Sequence, residues 1–233
     1  MHYAYFDFRH TLSDTDRQQL LQQTFERLLT QAAEGSGRSL VRLLRYLRQS
    51  DFYAIPCRHH PFPGGNAWHQ LETLLHAYLT PPALPPADDS GLSDSYPLWQ
   101  PQWQQLPPLS IVLTCLLHDI GNTHHPRLHF PDRIMRRHGR KSTYILHDFL
   151  RLDLMFDENM AIIHHQHQSP ALLRDNTPTE QDFQLILAMP LYHMICCCDA
   201  LSCRLPMAEA DLLRRLPELE TRLLSHCAAY GAL

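Results

Sequence analysis

An adjacent histidine and aspartate, His118-Asp119, close the apolar run Leu113-Thr114-Cys115-Leu116-Leu117 and are followed by Ile120-Gly121. Both side chains fall where burial is expected, and a buried charge is costly unless it is paired or bound to a metal. Imidazole nitrogen and carboxylate oxygen are also a donor pair that transition metals accept. Taken alone, the doublet is just as well a core histidine held by its neighbour. What distinguishes the two is whether other donors converge on it. His69, His138, His164, His165 and Asp199 are the candidates, each on an internal segment at a place that can look inward.

The elements that must position them follow from apolar spacing. Thr11 to Ala33 reads as an amphipathic helix capped by Ser13 or Thr11, with Leu20, Leu21, Phe25, Leu28 and Leu29 at helical spacing. Gly35-Ser36-Gly37 breaks it, and Ser39 to Gln49 forms a second helix with Leu40, Leu43, Leu44 and Leu47 on one side. A third runs from Asn66 to Leu79, with His69, Glu72, Thr73 and His76 on one stripe beside the packing stripe Trp68, Leu71, Leu75 and Tyr78. A fourth, about Leu109 to Asp119, carries the doublet. Asp132 can cap the basic segment that leads through His138 into a helix at Thr143 to Leu152, and Asp157 caps one from Glu158 to about His167. Thr179 starts a long helix towards Arg204 that Pro190 must kink or split, and Ala208 to Tyr230 is amphipathic with an interruption at Pro217. Thr80 to Pro108 holds too many prolines for a helix or an interior strand and reads as a loop. No period-2 alternation appears, so the expected fold is all-α, a bundle of about eight helices. Residues 1–54 would pack on a core at 55–205 (with the proline-rich excursion at 81–108), and 206–233 would add C-terminal helices, in one compact domain.

Composition narrows the function classes. The chain has 233 residues, a net charge of −4 and 44% hydrophobic residues, a globular balance with no global basic footprint for nucleic acid. No apolar run is long enough for a membrane, the first residues lack the regions of a signal peptide, and the seven cysteines include three in succession. A cytoplasmic location with reduced thiols is the expectation. Cys196 to Cys198 and Cys203 have no zinc-ribbon spacing and read as buried core thiols. The 17 histidines are the anomaly.

In order and in local context, these residues resemble the HD-domain superfamily of metal-dependent enzymes. Leu116-Leu117-His118-Asp119-Ile120-Gly121 matches its central motif, and Gly64-Gly65-Asn66-Ala67-Trp68-His69 its first histidine segment. Asp199-Ala200-Leu201 is similar to the segment of its terminal aspartate, and His138 and Ile162-Ile163-His164-His165 to the further histidines of its dinuclear branches. The resemblance covers roughly Ile55 to Arg204. It implies one ion on His69, His118, Asp119 and Asp199. A second ion would share Asp119 and add His138 with His164 or His165, His164 being preferred if only one serves. One or two divalent ions (Fe, Mn, Zn, Ni or Co) fit such ligands.

The resemblance further implies a phosphohydrolase, with His118 and Asp119 at the catalytic centre, acting on a phosphomonoester or phosphodiester of nucleotide-like kind. Arg133, Arg137, Arg140 and Lys141, with His124 and His125, are the candidate substrate contacts. Di-iron oxygenases of the same superfamily use the same donors, and an HD-type exonuclease is a further alternative. Asn122 stands where many members have lysine, and the Gly-Tyr-Pro motif of the HD-GYP phosphodiesterases is absent. No membrane partner is expected, and the C-terminal helices offer a face for a homodimer.

Overall fold

The computed structural model describes residues 12–79, 103, 105–131, 134, 137–204 and 206–231. Most of the proline-rich stretch lies outside the described residues, as do Thr11, Asp132, Arg133 and Arg136; Trp103, near its end, is buried. Among the described residues there are ten α-helices and no strand.

Helix α1 (Asp14–Ala33) starts on Ser13, whose Oγ accepts from the Asp16 amide, with Asp14 and Asp16 favourably placed in the first turn. Helix α2 (Val41–Gln49) begins later than its apolar pattern suggests, and Tyr46 rather than Leu44 completes its buried stripe. Helix α3 (Gly65–Tyr78) and helix α4 (Pro108–Leu117) form the centre; every residue of α4 is buried. A short 3₁₀ turn, Ile120–Asn122, follows α4. Helix α5 (His138–Thr143) continues into a π-helical turn at Tyr144–Phe149. Helix α6 (Phe156–His164) is started by Glu158 reaching back to the Met155 amide, so Asp157 is not its cap, and it ends three residues short of His167.

A short helix, α7 (Pro170–Asn176), capped by Ser169, occupies a stretch for which the apolar spacing marks no helix. Pro190 does split the long segment: α8 (Glu180–Leu187) and α9 (Pro190–Arg204) meet at a 72° bend. Proline fails to interrupt the last helix, α10 (Glu209–Gly231), which runs through Pro217. The ring removes one backbone donor there, but Leu212, Leu216, Leu219 and Leu223 keep their stripe on the core, which holds the turns together on either side. No single helix is long and apolar enough to cross a membrane.

Helices α3, α4 and α9 pack on one another; α1 and α10 cover one side, and α6 with α5 the other. Two buried ion pairs pin this arrangement. Arg17 donates to Glu209 at the start of α10, and Arg38 makes a bidentate contact with Glu158 at 2.6 and 2.8 Å, which Ser110 of α4 also reaches. The second clamp fixes α6, the helix that leads to His165.

His76 of α3 is 3% exposed, and neither ring nitrogen has a hydrogen-bond partner among the described residues. Burial, helped by the charge of Arg215, pushes its pKa down from 6.5 to about 4. The unfolded chain therefore takes up this proton at a pH where the folded chain refuses it. Stability is intact above about pH 6.5 and falls as the pH drops towards 4, by roughly 3 kcal/mol from this residue. Urea unfolding of His76→Leu should show a flatter loss between pH 7 and 4.5 than the parent; equal slopes would rule the residue out as the source.

Candidate metal centre

Five segments bring their donors to one cluster. His118 is the residue after the last turn of α4, and its Nδ1–H donates to the Cys115 carbonyl at 3.0 Å. His165 follows the last turn of α6, and its Nδ1–H donates to the Ile162 carbonyl at 2.7 Å. A carbonyl only accepts, so in the neutral rings Nδ1 carries the proton and Nε2 presents a bare lone pair. His69 lies on α3 with Nδ1 2.9 Å from Ser202 Oγ. His138 opens α5. Asp119 leads into the 3₁₀ turn, and Asp199 lies on α9.

The turn and α5 are in backbone contact. Gly121 N–H donates to Ser142 Oγ, which donates in turn to the His118 carbonyl. A Cβ on Gly121 would stand 2.4 Å from the His138 carbonyl oxygen, and one on Gly139 would stand 2.6 Å from that of Ile163. Glycine at these positions is what lets α5 sit against both the turn and α6, bringing His138 to Asp119.

The donors converge closely. His69 Nε2 lies 2.9 Å and His118 Nε2 3.6 Å from Asp199 Oδ1, and the two nitrogens are 3.4 Å apart. On the other side His138 Nε2 and His165 Nε2 are 3.3 and 3.4 Å from Asp119 Oδ1, and 3.0 Å from each other. Asp119 belongs to both halves, since its carboxylate also lies within 4.8 Å of the His69 and His118 nitrogens. Sharing a carboxylate in this way is what two adjacent ions need.

The electrostatics suit a cation. Burial opposes ionisation of Asp119 and Asp199, yet the imidazoles around them more than offset it and hold both carboxyls well below the usual range. Burial would also strip the proton from His118, but Asp119 and Asp199 outweigh it and raise its pKa. The field that would keep a proton on His118 equally favours a metal ion in front of it. Asp119 Oδ1 is moreover a buried carboxylate oxygen without an aligned hydrogen-bond donor among the described residues, a costly arrangement unless a cation satisfies it. The donor set thus fits one or two divalent ions. Mixed imidazole and carboxylate ligation leaves the choice of metal open.

Not every residue expected at the site reaches it. His164 turns away: its Nδ1 faces His167 Nδ1 at 3.0 Å, and it lines a separate cavity with Arg140, Tyr144 and Phe156. His165 takes the place in the cluster. Among the described residues, the basic segment does not line the cluster's cavity either. Arg140 belongs to the cavity behind α6, Arg137 is exposed, and Lys141 lies over the Phe130 ring beside a third cavity. Arg133 lies outside the described residues. His124 is exposed and bound to Asp51, and His125 stacks on Tyr46; both line the third cavity.

The cavity over the cluster, about 850 Å³, is instead lined by Arg58, His59, Asn122, Gln166, Gln168 and Arg204, with Cys57 and Cys203. Apart from Asn122, which follows the His-Asp motif, no motif marks the polar side chains among them. The same holds for the support of His69: Ser202 Oγ, which meets its Nδ1, also bonds Glu72 Oε2 at 2.8 Å. Glu72 is fully buried, receives Trp68 Nε1 and the Met207 amide, and burial lifts its pKa to about 8. Its place one turn after His69 on the same stripe was the only sequence signal. Partners of this kind orient a ligand and set its basicity, and losing one typically costs about 10–100-fold in metal affinity. Ser202→Ala should weaken metal binding by that factor while leaving the melting temperature of the metal-free protein nearly unchanged, as read by chelator competition and thermal unfolding. Unaltered affinity would remove Ser202 from the centre.

No protein-family model, no curated protein and no solved structure matches the chain.

Proposed function

We propose that the chain is a metal-dependent phosphohydrolase of the HD-domain type, acting on a small phosphorylated, nucleotide-like substrate. One observation carries the reading. Four imidazole nitrogens and two carboxylates meet at the floor of a cavity whose wall includes Arg58 and Arg204. His69, His118 and Asp199 would hold one ion, His138 and His165 the other, with Asp119 shared. A divalent ion in such a site supplies a Lewis acid for a phosphoryl oxygen and lowers the pKa of water to near neutrality.

The chain's own groups account for the rest. Arg58 and Arg204 draw an anionic substrate to the cavity and offer paired N–H donors to phosphate oxygens. Gln166 and Asn122 add neutral polar groups at the wall. Gln168 Nε2 donates to Asp199 Oδ2 at 2.9 Å, which leaves Oδ1 aimed at the histidines. The Nδ1–H bonds of His118 and His165 fix both rings so that neither needs to reorient during turnover.

The test is metal identification on protein purified without air or chelator, followed by phosphate release from a panel of nucleotides and phosphoesters. Bound manganese, zinc, cobalt, nickel or iron, with hydrolysis abolished by chelator and restored by metal, is the expected result. Two irons with oxygen uptake and no hydrolysis would instead establish the oxygenase that the same donors can serve. Salt-sensitive degradation of single strands would identify a nuclease.

A further inference from the structure

Cys203 was expected to be one of several core thiols, and it is not. Cys196 to Cys198 and Cys115 are buried in the apolar interior, whereas Cys203 is only half-buried and lines the cavity over the cluster. It lies one helical turn after Asp199 on α9, so the two side chains share a face. Its Sγ is 3.8 Å from Asp199 Oδ1, the same oxygen that His69 Nε2 approaches at 2.9 Å. The donor atoms of His69, Asp199 and Cys203 all lie within 4.8 Å of one another.

These spacings are informative. A thiolate sulfur at about 2.3 Å and a carboxylate oxygen at about 2.1 Å from a tetrahedral ion would be separated by about 3.6 Å. The observed 3.8 Å from Sγ to Asp199 Oδ1 is close to that edge. His118 Nε2, 3.6 Å from the same Asp199 oxygen, adds a second imidazole on this side of the cluster.

We propose that Cys203 is a donor to the ion held by His69, His118 and Asp199, so that one half of the centre carries a sulfur ligand and the other does not. The inference rests on the metal-centre reading. On binding, the thiol releases its proton to solvent and the sulfur lone pair is donated to the cation, with no change of oxidation state. The half made by Asp119, His138 and His165 offers only nitrogen and oxygen among the described residues. The sulfur-containing half should therefore favour a softer ion such as zinc or cobalt, and the other should tolerate a harder one such as manganese. A mixed-metal centre follows, in which each half selects its own ion.

Cobalt(II) reports directly on sulfur ligation. Metal-free protein is titrated with cobalt without air and followed by absorbance. The expected result is a near-ultraviolet sulfur-to-cobalt charge-transfer band that is kept in Cys57→Ser and lost in Cys203→Ser. Cys203→Ser should still bind cobalt, at least about tenfold more weakly at one site. Visible cobalt bands without the charge-transfer band in the parent protein would overturn the proposal and leave the metal centre standing. Loss of the band in Cys57→Ser instead would also overturn it. A parent protein that binds no cobalt would overturn both. Should the Cys203→Ser chain fail to fold, alkylation of the parent decides by peptide mapping: bound cobalt should slow modification of Cys203 several-fold, and equal rates with and without cobalt would refute ligation.

Discussion

Asp119→Asn protein is expected to fold, to retain less than one equivalent of metal, and to lose more than about 100-fold of any hydrolytic activity. The bound on activity comes from the 10–100-fold cost of removing even an indirect partner of a metal ligand, and Asp119 is more than that. Its carboxylate faces His138 and His165 at 3.3 and 3.4 Å and lies within donor range of His69 and His118. An amide of the same shape retains the packing but removes the negative charge that both halves share. The matched control is His164→Ala. His164 meets His167 and not the cluster, so this variant should keep its metal content even though it stands next to His165. Elemental analysis of the two proteins, with phosphate release as the second reading, checks the pair. Full metal content in Asp119→Asn, or its loss in His164→Ala, would displace the centre from where we put it. Acid should act in the same direction as Asp119→Asn. The His118 imidazole must be neutral to ligate, and the neighbouring carboxylates raise its pKa. Metal occupancy should therefore fall as the pH drops from about 7 towards 5.

The contrast between His164 and His165 shows where sequence reasoning stops. Histidine and aspartate at the end of an apolar helix stand out because burial of either is unusual without a partner, which marks His118 and Asp119; His69, His138 and Asp199 joined them through the resemblance to the HD-domain superfamily. All five reach the cluster. Choosing between neighbours needed the packing of the helix. His165 still has helical backbone angles, so the two side chains point about 100° apart round α6, and which of them faces the cluster is set by how α6 packs against α5 and α9. The placement of the basic segment was hidden for a related reason. Residues 137–141 are close to His138 in sequence, but α5 is wedged between the turn at Gly121 and the end of α6, which sends Arg140 and Lys141 to opposite cavities. The arginines that do line the site, Arg58 and Arg204, are almost 150 residues apart along the chain and stand in no charge cluster.

The same division runs through the fold. An all-helical bundle follows from the spacing of the leucines, and the split at Pro190 from the missing amide of proline. Pro217 obeys the same local rule but is overruled by four leucines on the core. Local chemistry foresaw most of the helices and the caps at Ser13 and Thr179, but not helix α7 or the start of α6; contacts across 130 residues, such as Ser202 with Glu72, had no local signature to read.

Gly121→Ala tests the backbone contact on which the second half of the centre depends. Gly121 has no left-handed φ to protect. In open space its replacement by alanine would stabilise the fold by about 0.4–1 kcal/mol, through the unfolded chain. Here the added Cβ would lie 2.4 Å from the His138 carbonyl oxygen and 2.7 Å from both the Ser142 nitrogen and the Lys141 Cβ. Two of these three atoms are backbone, so no rotamer change relieves the clash, and α5 must move off the turn. That movement stretches the bond from Gly121 N–H to Ser142 Oγ, now 2.9 Å, and draws His138 away from Asp119. Overpacking of this kind costs about 1–3 kcal/mol, and the lost hydrogen bond adds about 1. For a chain of this length the sum corresponds to a melting temperature lower by roughly 5–15 °C. Metal stoichiometry should fall with it, the ion on Asp119, His138 and His165 going first. Gly231→Ala, where nothing lies within 4 Å of the new Cβ, is the control and should be neutral. Calorimetry and metal titration of both variants decide the matter: a Gly121→Ala protein with the parent's melting temperature and full metal content would mean that α5 does not hold His138 against the turn.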